Sequence, residues 1–176
     1  MRGNALALFA LTSDGKLYTW GTGTYLGDGT AAANRTYATE VVVPAGVTPK
    51  MIGMTMGTAT SQPYYLLATD GRLFSMGENS SRQLGDGTTA DKTTWVQPQK
   101  MTDQYGQGTG PLVNIAWISP NEHAHDNSTV PKAGVNVLTN DKKLWGWGLG
   151  RIIGGSSTTT YYDPVICRAT VQMLTE

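Results

Sequence analysis

Charge of either sign is scarce in this 176-residue chain: 13 basic and 13 acidic side chains make up 15% of it and cancel to a formal charge of zero. No global field exists to draw in a polyanion, and the longest basic run is Lys142-Lys143. Nucleic acid is therefore not an expected partner. So few charges also exclude a coiled coil, and the aliphatic content is too low for insertion into a membrane. A single cysteine, Cys167, excludes an intrachain disulfide and a thiolate metal cage. With no evident base beside it, Cys167 reads as a buried, inert residue. Helical periodicity is missing too. Nowhere do apolar residues recur at i, i+3, i+4 and i+7, and Gly or Pro interrupts every stretch of about fifteen residues. The expectation is an essentially all-β chain forming one domain over residues 1–176.

What the chain has in abundance is glycine, 22 residues, and internal repetition. Leu11 to Gly21 reads LTSDGKLYTWG, Leu67 to Gly77 reads LATDGRLFSMG, and Leu138 to Gly148 reads LTNDKKLWGWG. Each block is an apolar stretch, a polar turn centred on Asp14, Asp70 or Asp141, an alternating stretch and a closing glycine. This is hairpin chemistry. Asp14-Gly15 and Asp70-Gly71 suit a tight primed turn, which needs positive φ, while Lys142 predicts another turn type for the third block. A second element follows in Leu26-Gly27-Asp28-Gly29-Thr30, in Leu84-Gly85-Asp86-Gly87-Thr88 and, weakly, in Ile153-Gly154-Gly155-Ser156. Pro44, Pro98 and Pro164 close the connections, and Met51 to Met56 and Val113 to Ile118 read as one further strand each. The repeat cores run over about 5–44, 51–98 and 113–166, each the size of a blade of several strands. Met1-Arg2 before Ala5 to Leu11 looks like a short export signal, but no small-residue cleavage site follows and the repeat register assigns a strand there.

These residues carry a family resemblance. LATDGRLFSMGENSSRQLGDGT, from Leu67 to Thr88, resembles a repeat of the RCC1 (regulator of chromosome condensation) family through Leu73, Gly77, Asn79, Gln83, Leu84, Gly85 and Gly87. The first block matches with Gly15, Trp20, Gly21, Leu26, Gly27 and Gly29 but lacks the Asn and Gln; the third keeps Leu144, Trp147 and Gly148. The resemblance implies a β-propeller of four-stranded blades serving as a binding scaffold. About three blades fit in this chain, so the ring is expected to be completed by further sequence of the same polypeptide, by copies of the chain in a homo-oligomer, or by other subunits.

Sites of chemistry are sparse. Gly21-Thr22-Gly23 begins like a dinucleotide fingerprint, but Leu26 stands where the third glycine belongs and no helix follows. The Gly-Asp-Gly-Thr segments read as turns rather than as phosphate or Ca²⁺ sites. His123 and His125, with Glu122 or Asp126 beside them, have a spacing that could hold a metal on an extended segment. Their setting, between Asn121 and Pro131, is that of a polar insertion instead. There is no nucleophile elbow. The expectation is therefore no enzyme, no cofactor and no metal. Trp20, Trp145, Trp147, Trp95 and Trp117 could form an aromatic platform; Trp20 and Trp147 share a repeat position with Met76 and read as core, and Trp95 is the better candidate for an exposed contact. Candidate partner contacts are Trp95, Tyr25, Arg82, Tyr161 and Tyr162. The reading is a non-catalytic interaction module that binds a protein or glycan through its inter-blade loops. The Gly-, Thr-, Ser- and Asn-rich composition suits an extracellular or cell-surface protein of bacterial or phage type; a natural start at Met1 would make it cytoplasmic. A structural subunit of a fibre, sheath or virion is the alternative.

Overall fold

The computed structural model describes residues 1–3, 7–22, 24–27, 29, 34–55, 62–102, 106, 108–121, 134–149 and 161–167. They form three four-stranded antiparallel sheets, each built in chain order, and one small ribbon. Blade 1 comprises β1 (Arg2–Gly3), β2 (Ala7–Leu11), β3 (Leu17–Gly21) and β4 (Arg35–Glu40). Blade 2 comprises β5 (Pro49–Met54), β6 (Pro63–Ala68), β7 (Leu73–Gly77) and β8 (Lys92–Val96). A ribbon of β9 (Gln99–Lys100) and β10 (Gly110–Pro111) follows. Blade 3 comprises β11 (Ile115–Pro120), β12 (Gly134–Thr139), β13 (Leu144–Leu149) and β14 (Tyr161–Ile166).

The three repeated hairpins superimpose in register. Leu8 pairs with Trp20, Tyr64 with Met76, and Val135 with Trp147. Their turns are alike as well. Gly15, Gly71 and Lys142 each donate to the carbonyl three residues back, those of Thr12, Ala68 and Thr139. The same Thr12, Ala68 and Thr139 amides donate to the carbonyls of Lys16, Arg72 and Lys143. Left-handed backbone is confined to the position after the aspartate's: φ is 83° at Gly15, 82° at Gly71 and 67° at Lys142. Two sequence expectations are corrected here. The turns are not primed, which would put the aspartates at positive φ too; they are ordinary turns followed by one left-handed residue. The third is also not of another type, because the surrounding hydrogen bonds hold Lys142 in the conformation that glycine adopts in the other two.

Each third strand carries a glycine at or next to its end, at an irregularity of the ladder, with register shifts at Thr19/Gly21, Ser75/Gly77 and Gly146/Gly148. An added residue at such a bulge bends the strand and turns the chain out toward the loop that follows. Gly77 shows why the position excludes side chains. Its φ is 111°, and a Cβ there would run into the Gln62 carbonyl.

Strand periodicity then sorts side chains onto two faces, and stacking decides which are covered. One face of blade 1 (Ala7, Phe9, Leu17) meets one face of blade 2 (Tyr64, Leu66, Phe74, Met76), with the Phe9 and Tyr64 rings 4.7 Å apart. The other face of blade 2 (Tyr65, Leu67, Leu73) meets blade 3 (Val135, Val137, Trp145, Trp147), and Tyr65 lies edge-on to Trp147 at 6.3 Å. Blade 2 is thus covered twice. All six residues of β6 are buried, whereas β2 alternates between buried and half-buried. Trp20 departs from expectation for the same reason. Met76 and Trp147 are fully buried, but Trp20 is half-buried, because it lies on the face of blade 1 opposite blade 2.

Gly77→Ala is expected to lower the unfolding free energy by about 3 kcal/mol or more, since it adds a backbone collision to left-handed strain. Gly29→Ala, at φ 82° with no atom of the described residues within 4 Å of the new methyl, should cost only the strain, about 1–2 kcal/mol. Urea denaturation of the two variants checks this, and equal losses would mean that the approach of Gln62 is not the limiting constraint.

Candidate functional site

The bulge at Gly77 delivers the chain into residues 78–91, the loop that joins the third and fourth strands of blade 2. Asn79 organises it. Its side-chain oxygen accepts from the Leu84 amide at 2.9 Å, and its Nδ2 donates to Asp86 Oδ1, the Thr88 carbonyl and the Ala90 carbonyl at 3.0, 3.0 and 3.2 Å. Its own amide donates to Asp91 Oδ1 at 2.8 Å. One fully buried amide therefore ties both ends of the loop together. Gln83 does the same for the first turn, donating from Nε2 to the buried Glu78 carboxylate at 2.8 Å and accepting from the Ser81 amide. Ser80 also donates its hydroxyl to Glu78. Ser75, in the middle of β7, donates to the Leu84 carbonyl at 2.7 Å.

Beyond Asn79, Thr88 donates to Asp86 through both its amide and its hydroxyl, and Lys92 Nζ lies 3.3 Å from Asp86 Oδ2. Burial works to raise the Asp86 pKa, but the hydrogen bonds from Thr88 and Asn79, together with Lys92, outweigh it and hold the carboxyl below its ordinary value.

Side chains from these loops reach across the seams between blades. Tyr25, at φ 58°, donates its hydroxyl to Asp91 Oδ2 at 2.7 Å, from blade 1 to blade 2. Burial, the bond to Asp91 and the charges of Asp91 and Glu78 push its pKa up to about 12. Arg82, at φ 57°, pairs with Asp163 of β14 at 2.8 Å, from blade 2 to blade 3. Trp95 of β8 donates its indole N–H to the Val42 carbonyl at 3.1 Å. The Gln83 carbonyl receives both the Tyr65 hydroxyl at 2.8 Å and the Trp147 indole N–H at 2.7 Å.

Three of the sequence candidates, Tyr25, Arg82 and Trp95, thus lie at blade seams with a hydrogen bond across each. Tyr161 and Tyr162 belong to β14 by their backbone, and their side chains lie outside the described residues. His123, His125, Glu122 and Asp126 also lie outside them, as does the Ile153 to Ser156 segment. Among the described residues no three potential metal ligands come together, and no helix is long and apolar enough to cross a membrane. Cys167 is half-buried rather than fully buried, its thiol 3.8 Å from Asn136 Oδ1 and pushed up by burial. Trp95 is half-buried, whereas Trp117 is 53% exposed. Glu78 and Ser75 were not recognisable as parts of the loop: neither stands in the repeat pattern, and their partners are set by a turn the sequence does not spell out.

Residues 70–116 match the regulator of chromosome condensation (RCC1) repeat. The chain carries an RCC1 repeat. Solved structures extend the likeness to almost the whole length. Prp20p from Saccharomyces cerevisiae, described with its binding properties to Gsp1p and histones, is 17% identical with a TM-score of 0.62, over 97% of this chain and 36% of its own. Human WBSCR16 is 20% identical with a TM-score of 0.60, over 91% and 35%. Yeast RCC1 (Prp20) bound to Kap60 gives 18% and 0.53, over 89% and 33%. At these identities the likeness establishes the fold, which is that of RCC1 β-propeller blades. The chain spans about a third of the length of each of these structures.

Asn79→Ala is expected to cost about 2–3 kcal/mol, because it leaves several buried loop groups unpaired; urea denaturation measures it. A second expectation concerns acid. The folded-state pKa of Asp86 is depressed, so its contribution is present above the unfolded value of about 4 and is lost as pH falls through the lower folded value. Asp86→Asn should flatten the dependence of stability on pH below about 4. An unchanged slope in that variant would assign the acid sensitivity to other carboxyls.

Proposed function

We propose that this chain is a non-catalytic propeller module that binds a protein partner through the loops between its blades. The observation that carries the reading is the construction of the 78–91 loop. Its polar side chains are spent on fixing the loop's own backbone, as Asn79 and Gln83 do, and on clasping the next blade, as Arg82 does. Such an arrangement presents a rigid, pre-ordered surface, which lowers the entropic cost of recognition. Structures with the same fold support a protein as the ligand class, since Prp20p is described with Gsp1p and histones and in a complex with Kap60. We further propose an extracellular or cell-surface setting of bacterial or phage type, on the strength of the composition alone, with a glycan as the alternative ligand.

The test is proximity labelling in the source organism followed by reconstitution with each purified candidate. The expected result is saturable binding that weakens at least about tenfold when charged side chains are introduced at the exposed Thr89 and Ala90. Turnover of a small-molecule substrate by the purified chain, with no saturable partner, would overturn the reading.

A specific observation favours a second reading, that of a subunit whose propeller is completed by neighbouring chains or by further blades. The two outer faces of the stack are apolar. Blade 1 presents Leu8, Ala10, Tyr18 and Trp20, all half-buried, and blade 3 presents Trp117, 53% exposed, with Leu138, 36% exposed, across from it. Repeat arrays need polar caps or further repeats at such faces. Sedimentation of the isolated chain discriminates: self-association that is lost in a Trp117→Lys, Leu138→Lys variant is expected, and a monodisperse monomer with a cooperative melt would show that three blades suffice.

A further inference from the structure

The two seams of this stack are built alike but filled differently. In the seam between blades 2 and 3, Trp147 of β13 lies over the Gly85-Asp86-Gly87 turn. A methyl placed on Gly85 would meet Pro164 at 3.0 Å and the Trp147 indole at 3.1 Å, and one on Gly87 would meet Met101 at 2.7 Å. Both glycines of that turn are covered. The hairpin register makes Met76 the counterpart of Trp147, and the repeat makes Gly27 and Gly29 the counterparts of Gly85 and Gly87. In the seam between blades 1 and 2, therefore, a flexible thioether stands where an indole stands next door.

The consequence is a recess of about 260 Å³ in this seam, lined by Gly27, Gly29, Val43, Pro44, Met76 and Trp95 among others. Gly27 is covered by Val41, which a Cβ there would meet at 2.6 Å, but among the described residues no atom lies within 4 Å of the position the Gly29 Cβ would take. Trp95, whose counterpart in β14 is Pro164 by strand register, recovers part of the bulk lost at Met76. It does not recover all of it, or the recess would be closed. Its indole N–H is already committed to the Val42 carbonyl, so it stands as a fixed aromatic wall. Apolar cavities of about 150 Å³ suffice to bind benzene.

We propose that this recess is a binding site for a planar aromatic group of about the size of an indole. The fold itself argues for the ligand class, because the equivalent space in the adjoining seam is occupied by an indole. Met76 is fully buried at the floor of the recess, where its flexible thioether repacks against a flat ring that enters and makes favourable sulfur–aromatic contacts, and Trp95 offers an aromatic surface against which a ring packs offset or edge-on. An aryl side chain of a partner segment and a free aromatic molecule share this chemistry. The site does not depend on the protein-binding reading given above.

The test is an NMR titration of the intact chain with free indole and, separately, with N-acetyltryptophanamide, following the Met76 ε-methyl and the Trp95 indole N–H resonances. The expected result is a saturable upfield shift of the Met76 methyl at millimolar indole, with a concurrent shift of the Trp95 signal. Saturable shifts with the capped amino acid as well assign the site to a side chain carried by a polypeptide; shifts with indole alone assign it to a small molecule. Met76→Trp should abolish binding by restoring the indole of the adjoining seam. Thr93→Phe, which fills the same recess from the lining residue Thr93 of β8, serves if the first variant does not fold. Absence of any saturable shift, or binding that persists undiminished in a folded filled variant, overturns the proposal.

Discussion

A four-stranded sheet has two faces, and where a face is apolar it is stable in water only if another sheet lies on it. That requirement organises everything else in this chain. It buries β6 on both sides and β2 on one side more than the other. It also places the largest aromatic contacts, Phe9 with Tyr64 and Tyr65 with Trp147, at the seams rather than within a blade. The loops serve the same end. Once the sheets are stacked, Tyr25, Arg82 and Trp95 reach from one blade to the next and fix the angle at which they lie.

The hairpins were legible because their signal is local. An aspartate in a short polar turn, flanked by alternating apolar residues and closed by a glycine, specifies a strand pair from the sequence alone, and all three pairs form in the same register. The turn type was not legible. Lys142 has no intrinsic preference for the left-handed region, and two backbone hydrogen bonds impose it there. Similarly, a repeat position does not reveal its burial. Trp20, Met76 and Trp147 share one position, but only neighbouring sheets determine that two are fully enclosed and the first is not.

The loop network was partly legible. Asn79 and Gln83 stood out through the repeat pattern, and both proved to be central organisers of residues 78–91. Other members of the network did not stand out, because Glu78, Ser75 and Asp91 depend on a path of the chain through successive turns that no periodicity encodes. The seam contacts were the least accessible of all. Arg82 and Asp163 are 81 residues apart in sequence, and nothing in either neighbourhood announces the other.

The enclosure of β6 has a consequence for the order in which this protein is assembled. Pro63 to Ala68 contains no charged residue and is buried along its whole length, so although β5 and β7 pair its backbone, until blades 1 and 3 have both closed on it the sheet shows a bare, uncharged apolar face of the kind that associates indiscriminately. During synthesis blade 1 emerges first and can shield one side at once, while the other stays open until residue 149 has been made. The relevant hazard is therefore temporal rather than energetic: the interval between completing the second hairpin and completing the third is when this chain is most exposed to misassociation with its neighbours.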